Sequence, residues 1–430
     1  APDTQTLEIR TALVRRFGHI VKKAGTQNIQ CMIEDDPNLQ LGMDSMKDVK
    51  YILDNVPGLN LVYDSANMIV TGEDPVAYYE ALKEHVIHMH IKDINVCEGD
   101  APYKDRGSDG KDYVSAPHGT GLVNFEELFD SFSGNGYDGI LSLEFVPRGT
   151  VSLMEDLTNV YRRFLSLACR YSIGVNEVGL ISKLVCHPYE EVWAKLKDLN
   201  VASVEVCAVP DHLPGIAEYA EEIAKKYPVG MPDCLPRGDK VYPFVDGIRA
   251  CGLQVNSCHM MLCEAYPEAI RDCVPYIEEI SRRTGICQFV ISCMFDSVEG
   301  TRSFLPFIKE ASSLLAASGI TLCYHNHHMD CMVLENGMTP MEMVLEECPD
   351  CMVQFDIGWA WYGGMDSLSF MKKYGSRIAS VHLKDLYEDA AQRTDDGRFA
   401  AVGSGSAPTE EVLKNLYLCN IAPGRLIIDQ

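Results

Sequence analysis

Four residues in the first third of the chain close short apolar runs with a group that can bind a cation or move a proton. Glu34 ends IQCMIE, Asp64 ends LVYD, His90 ends IHMH and Glu144 ends LSLE. A charged group at such a place is costly to bury unless it is paired or bound to a metal. Three carboxylates and one imidazole on adjacent strands make an oxygen-rich cage. Such a cage suits Mn2+, Mg2+ or Co2+ better than a thiolate-rich zinc site does. Taken singly, each residue also has a plain structural use. A strand-end Glu can serve a loop salt bridge, His90 can sit satisfied in a core, and Asp64 can cap the next helix.

Recurrence decides between these uses. LNLVYDSAN at 59–67 matches CMVQFDIGW at 351–359, and VIHMHIKD at 86–93 matches IASVHLKD at 378–385. HGTG at 118–121 resembles VGSG at 402–405, and GILSLEF at 139–145 matches GRLIIDQ at 424–430. Asp64 and Asp356, His90 and His382, and Asp93 and Asp385 are each 292 positions apart. Gly121 to Gly405 is 284 and Glu144 to Asp429 is 285. Asp and His are separated by 26 positions in both copies. One register held over four strands is a duplicated domain, since the period is far too long for a solenoid repeat.

The elements that would position these residues are clearest in the second copy. Strand-like runs, short and rich in Val and Ile, lie near 178–185, 201–209, 253–262, 287–294, 320–326, 351–357, 378–384 and 425–430. Helical patterns at 188–200, 267–283 and 304–319 separate them. Eight alternating β/α units predict an α/β fold, a closed (β/α)8 TIM barrel with its chemistry at the C-terminal ends of the strands. A doubly wound open sheet would carry a Gly-rich phosphate loop after its first strand, and none follows 178–185. The first copy begins late. Residues 6–25 correspond to the helix before the fifth strand, so the expectation is a tandem duplication with the first copy present only as its C-terminal half. The domains are then 1–173, the C-terminal half of a first barrel, and 174–430, a nearly complete second barrel lacking its last helix. A half barrel leaves a sheet edge unpaired, and the chain starts with Ala1 rather than Met. It is therefore read as truncated at both ends, and any N-terminal signal goes unread.

The net charge of −25 opposes binding to nucleic acid, which needs a basic stripe. The apolar runs are too short to cross a bilayer, so no membrane role is expected. The 17 cysteines are scattered, several in strand-like runs (Cys31, Cys258, Cys293), without disulfide-framework spacing. That fits a reducing cytoplasmic compartment. Cys348-Pro-Asp-Cys351 reads as a helix-to-strand turn, since no second CxxC completes a zinc site.

The motifs YDSAN, HMHIKD, HGTG and GYDGILSLEF, with YHNHHMD, FDIGWAWYGGMD, SVHLKD, VGSG and LIIDQ in the second copy, resemble the xylose isomerase-like barrel superfamily of sugar phosphate isomerases and epimerases. The resemblance covers almost the entire chain. It implies Glu34, Asp64, His90 and Glu144 as metal ligands of the first copy and His325, Asp356, His382 and Asp429 as those of the second, with one divalent cation per complete barrel. It makes Glu34 and Glu144, or His325 and Asp429, the proton-transfer pair. Asn67 stands where many epimerases have a substrate-contacting His, and Asp330 falls near a substrate-contacting acid of relatives. Trp359 and Trp361 are either an apolar wall over a sugar or core. Lys92 and Lys384 either bind a substrate oxygen or phosphate, or pair with Asp93 and Asp385.

The implied activity is a metal-dependent isomerase or epimerase acting on a small sugar, keto-sugar or polyol, phosphorylated or not, by proton transfer through a metal-bound enediolate. The alternative is a keto-sugar or inosose dehydratase or lyase, which the YHNH run favours. An abasic-site endonuclease and a non-catalytic barrel are weaker readings. Self-association into a homo-oligomer is compatible with all of them.

Overall fold

The computed structural model describes residues 4–35, 45–101, 103–145, 153–180, 184, 187–210, 212–213, 215, 235–261, 266–394 and 397–429. The chain divides into two compact units, Ala1–Leu167 and Ala168–Gln430.

In the first unit the helix Thr4–Gly25 precedes a four-stranded parallel sheet of β1 (Cys31–Glu34), β2 (Leu59–Asp64), β3 (Val86–Ile91) and β4 (Ile140–Leu143), paired in that order. Helices Met46–Asn55, Pro75–Leu82 and Phe125–Gly134 join the strands. Their starts are capped by Ser45, Asp74 and Asn124, whose side chains accept from backbone N–H groups of the first turn.

The second unit is a closed parallel barrel. Its strands are β5 (Ile173–Asn176), β6 (Ser203–Ala208), β7 (Gln254–Met260), β8 (Gln288–Ile291), β9 (Thr321–His325), β10 (Met352–Asp356), β11 (Ile378–Leu383) and β12 (Leu426–Ile428). They pair in chain order, and β12 closes onto β5 through Leu426↔Ile173, Ile427↔Gly174 and Ile428↔Val175. Every residue of β6, β8 and β11 is buried, as expected for strands covered on both faces. The helical run 267–283 is two helices, Ala269–Asp272 and Val274–Thr284, with Pro275 in the first turn of the second, which ends on Gly285 in the left-handed region at φ 73°.

One expected strand is misplaced. The first barrel strand is Ile173–Asn176, at the boundary drawn from sequence between the two domains, not 178–185. Val178–Leu180 forms a 3-10 turn, and 181–183 and 185 lie outside the described residues. A four-residue run containing glycine gives little strand signal, yet Gly174 fits the closure. A Cβ there would lie 2.5 Å from Ser203 Oγ and 3.3 Å from the Gly424 carbonyl. Among the described residues no helix is long and apolar enough to cross a membrane.

Candidate metal centres

The neighbouring strands that carry Asp and His have the same register in both units. Asp64 is opposite His90 and Asp356 is opposite His382. Both pairings slip by one residue at corresponding places, between Leu61 and Val62 and between Val353 and Gln354. Each aspartate then divides its oxygens. Asp64 Oδ1 accepts from Ala66 N and Asn67 N, both at 2.8 Å, and Asp356 Oδ1 accepts from Trp359 N at 2.8 Å. The Oδ2 of each is buried and accepts no hydrogen bond. Capping the next helix thus aims the second oxygen at the strand ends, so capping and ligation coexist. Burial raises both carboxyls to about 6, against the lowering pull of Lys92 on Asp64 and of Lys384 on Asp356.

The first cluster brings Glu34, Asp64, His90 and Glu144 together, with one ligand-type atom from each lying within 4.8 Å of the others. His90 Nδ1 is 3.0 Å from Glu34 Oε1 and 2.8 Å from Glu144 Oε2. Lys92 Nζ is 3.4 Å from Glu144 Oε1 and donates to Asn67 Oδ1 at 2.9 Å, while Asn67 Nδ2 donates to the Asp35 carbonyl. Asn67 is therefore a post that holds Lys92. Three carboxylates, one imidazole nitrogen and a buried carboxylate oxygen lacking a donor fit a hard divalent cation.

The second cluster brings His325, Asp356, His382 and Asp429 within the same 4.8 Å. Beneath it lies Glu205, mid-strand in β6 and fully buried, which sequence reasoning missed. Its Oε1 accepts from Asn176 Nδ2 at 2.7 Å and faces His382 Nε2 at 2.8 Å; its Oε2 accepts from Ser257 Oγ at 2.7 Å and Gln354 Nε2 at 2.6 Å. Burial would raise the Glu205 carboxyl, but the charge and hydrogen bond of His382 hold it at about 2. His382 Nδ1 is 3.1 Å from Asp429 Oδ2, and Lys384 Nζ lies 2.8 Å from that oxygen and 3.6 Å from Asp356 Oδ2. Burial would lower His382, yet Glu205 and Asp429 together hold it at about 10. The donor set fits a divalent cation too, with Asp356 Oδ2 as its unbonded oxygen. Such a cation shares these oxygens with Lys384. The signal that could have found Glu205 is one carboxylate flanked by apolar residues in VASVEVCAV.

The repeated Lys-Asp pairs do not pair with each other. The lysines go to the clusters and the aspartates clamp the Gly-rich loops. Asp93 accepts from the backbone N–H of Ile94, Gly119, Gly121 and Val123, and Asp385 from those of Leu386, Gly403, Gly405 and Ala407. A Cβ on Gly121 or Gly405 would come within 2.3 Å of the clamping carboxylate, so glycine is required at both.

Two further expectations are corrected or resolved by geometry. Asp330, expected to touch substrate, is fully buried; Oδ1 accepts from Tyr324 Oη and Phe295 N and Oδ2 from His327 N, so it holds the loop after β9. Trp359 is partly exposed and packs against His327, His328, Tyr362 and Phe399, with Lys384 Nζ 5.2 Å from its ring centre, so it lines the cluster. Trp361 shares its short helix, Ile357–Tyr362, and is also partly exposed. Cys348 and Cys351 are free and buried in the turn before β10.

Comparison with known proteins bears on the whole assembly. A stretch of 89 residues is 26% identical to an inosose dehydratase of Lacticaseibacillus casei, covering 20% of this chain and 30% of that protein. Another, of 120 residues, is 28% identical to an inosose dehydratase of Clostridium perfringens, covering 25% of this chain and 40% of that one. The chain thus spans well under half the length of these relatives. Among solved structures, a sugar phosphate isomerase/epimerase from Parabacteroides distasonis superposes with a TM-score of 0.44 at 16% identity, over 60% of this chain and 86% of that one. The family model described as xylose isomerase-like TIM barrel matches residues 2–162 and 279–420, well over half of the sequence. With this match and a closed eight-stranded parallel barrel, the chain belongs to the xylose isomerase-like TIM barrel family.

Proposed function

We propose that the protein is a divalent-cation-dependent enzyme that moves a proton at the carbon beside a carbonyl of a small sugar, keto-sugar or polyol, an isomerase or epimerase reaction. The observation that carries this reading is the convergence of Glu34, Asp64, His90 and Glu144 around a buried aspartate oxygen that lacks a donor. A bound cation supplies polarisation of the carbonyl, which acidifies the neighbouring C–H. Asp64 and His90 hold the cation, and Lys92, held by Asn67, neutralises Glu144. Glu34 and Glu144 stand on opposite sides of the sheet's Asp/His pair, on β1 and just past β4. One takes the proton and the other returns it to the opposite face or to the neighbouring carbon. General-base transfer of this kind contributes about 10²–10⁴-fold.

A second reading, dehydration of a keto-polyol such as an inosose, is favoured by the named relatives, both inosose dehydratases. It shares the first proton abstraction and differs in the loss of a β-hydroxyl. We also read the two units as copies of one barrel, a reading supported by the 292-residue spacing and the shared register slip. The test is incubation of the metal-loaded protein with keto-sugars and inososes in D2O, followed by NMR and absorbance. Deuterium exchange without loss of water supports isomerisation, and an enone-absorbing product supports dehydration. Neither change, in a protein shown to bind metal, rejects both. The same assay on His90→Ala and His382→Ala assigns the reaction to a cluster.

A further inference from the structure

The two clusters differ in donor chemistry. The first presents one imidazole and three carboxylates, the second two imidazoles, His325 and His382, and two carboxylates, Asp356 and Asp429. Hydrogen bonds fix which nitrogen of each second-unit ring is offered to a cation. Glu205 is an acceptor on both oxygens. It takes the Nε2–H of His382 at 2.8 Å, which turns Nδ1 to Asp429 Oδ2 at 3.1 Å; in the metal-free protein Nδ1 donates its proton there, and a cation displaces that proton to take Nδ1 as its ligand. It also takes the amide N–H of Gln354 at 2.6 Å, which orients that amide so that its Oε1 faces His325 Nδ1 at 3.0 Å. That nitrogen must donate, and Nε2 of His325 keeps the lone pair. One buried carboxylate therefore prepares both imidazoles as ligands. The two rings sit 4.8 Å apart, centre to centre.

We propose that the second unit holds a two-imidazole, two-carboxylate centre selective for a borderline cation, Zn2+, Fe2+ or Co2+, over Mg2+ and Mn2+, with Glu205 as the residue that positions both rings. Imidazole favours the former metals and carboxylate the latter, and exchanging a carboxylate for His325 moves this site along that scale relative to the first cluster. The inference rests on the reading that the cluster binds a divalent cation. Almost any mixed site prefers Zn2+ to Mn2+ to some degree, so the diagnostic quantity is the ratio of the two affinities and how a ligand change moves it.

The experiment uses the full chain carrying His90→Ala, which silences the first cluster. The metal-free protein is titrated with Zn2+ and with Mn2+ in competition with a chelator of known affinity. Pulsed EPR of the Cu2+-loaded protein counts the coordinated imidazoles. The expected result is two imidazoles in the His90→Ala parent and one after His325→Glu, with the Zn2+/Mn2+ affinity ratio falling at least tenfold. Glu205→Gln should weaken Zn2+ about 10–100-fold, the usual effect of losing an outer partner of a ligand. A single imidazole in the parent, or a ratio unmoved by His325→Glu, overturns the selectivity while leaving cation binding in place. Absence of binding by any of the three metals overturns the cation reading of this cluster and the selectivity with it. The imidazole count in the parent stands even where a variant fails to fold.

Discussion

Nε2 of His382 lies 2.8 Å from Oε1 of Glu205, and neither side chain reaches solvent. The barrel floor therefore holds a buried ion pair beneath the second cluster, and its cost is met because the remaining acceptor positions of Glu205 are filled by Asn176, Ser257 and Gln354.

The pair sets a pH dependence for the metal-free protein. Glu205 is lowered from 4.5 to about 2, so its contribution is complete above 4.5 and is lost as the pH falls through about 2. His382 is raised from 6.5 to about 10, so its contribution is complete below 6.5 and is lost as the pH rises through about 10. Stability from this pair is greatest between these two ranges and declines on the alkaline side. Glu205→Gln should cost about 3 kcal/mol near neutral pH and flatten the decline between pH 7 and 10. Urea unfolding with chelator present measures both, and an unchanged alkaline slope would contradict the assignment.

Asp356→Asn separates capping from ligation. The amide oxygen can still accept from Trp359 N, so metal-free stability should stay within about 1 kcal/mol. The anionic Oδ2 is gone, and the second unit should lose its cation-dependent stabilisation, about 2.7 kcal/mol at a hundredfold excess over Kd. Thermal melts with and without Zn2+ in the His90→Ala background check this. Full retention of the metal-induced shift would remove Asp356 from the ligand set.

The clamp on the Gly-rich loop predicts a local lesion. Asp385→Ala strands four backbone donors and should destabilise by about 2–3 kcal/mol, with new proteolytic cleavage within 399–407. Gly405→Ala should reproduce the cleavage, because its Cβ meets the carboxylate at 2.3 Å. A loop as resistant as the parent's in both variants would show that the clamp does not hold it.

Glu34→Gln and Glu144→Gln test the proton-transfer pair. Each should lower kcat about 10²–10⁴-fold with a much smaller change in KM, and should stop solvent deuterium exchange at the carbon beside the carbonyl. Exchange at the parent rate in both variants would move the reaction away from the first cluster.

Much of this protein was legible in its sequence. Asp64, His90, Asp356 and His382 sit at strand ends, where a polar residue interrupting an apolar run stands out, and the shared spacing of 26 positions links the two Asp/His pairs without any contact information. Seven of the eight barrel strands fall where their Val- and Ile-rich runs lie. The tertiary structure decided what depends on distances through space. Glu205 acquires meaning only because closure of the barrel brings β6 to within hydrogen-bonding distance of β10 and β11, residues 149 and 177 positions away. Asp330 was misread because chemistry near a motif resembles chemistry in a site until both its oxygens are seen to be taken. Gly174 was passed over because its value lies in the closeness of Ser203 and Gly424, which no local pattern records. Periodicity and residue type report on each element's own burial, whereas the donor that a buried carboxylate meets is set by the neighbours the fold assembles around it.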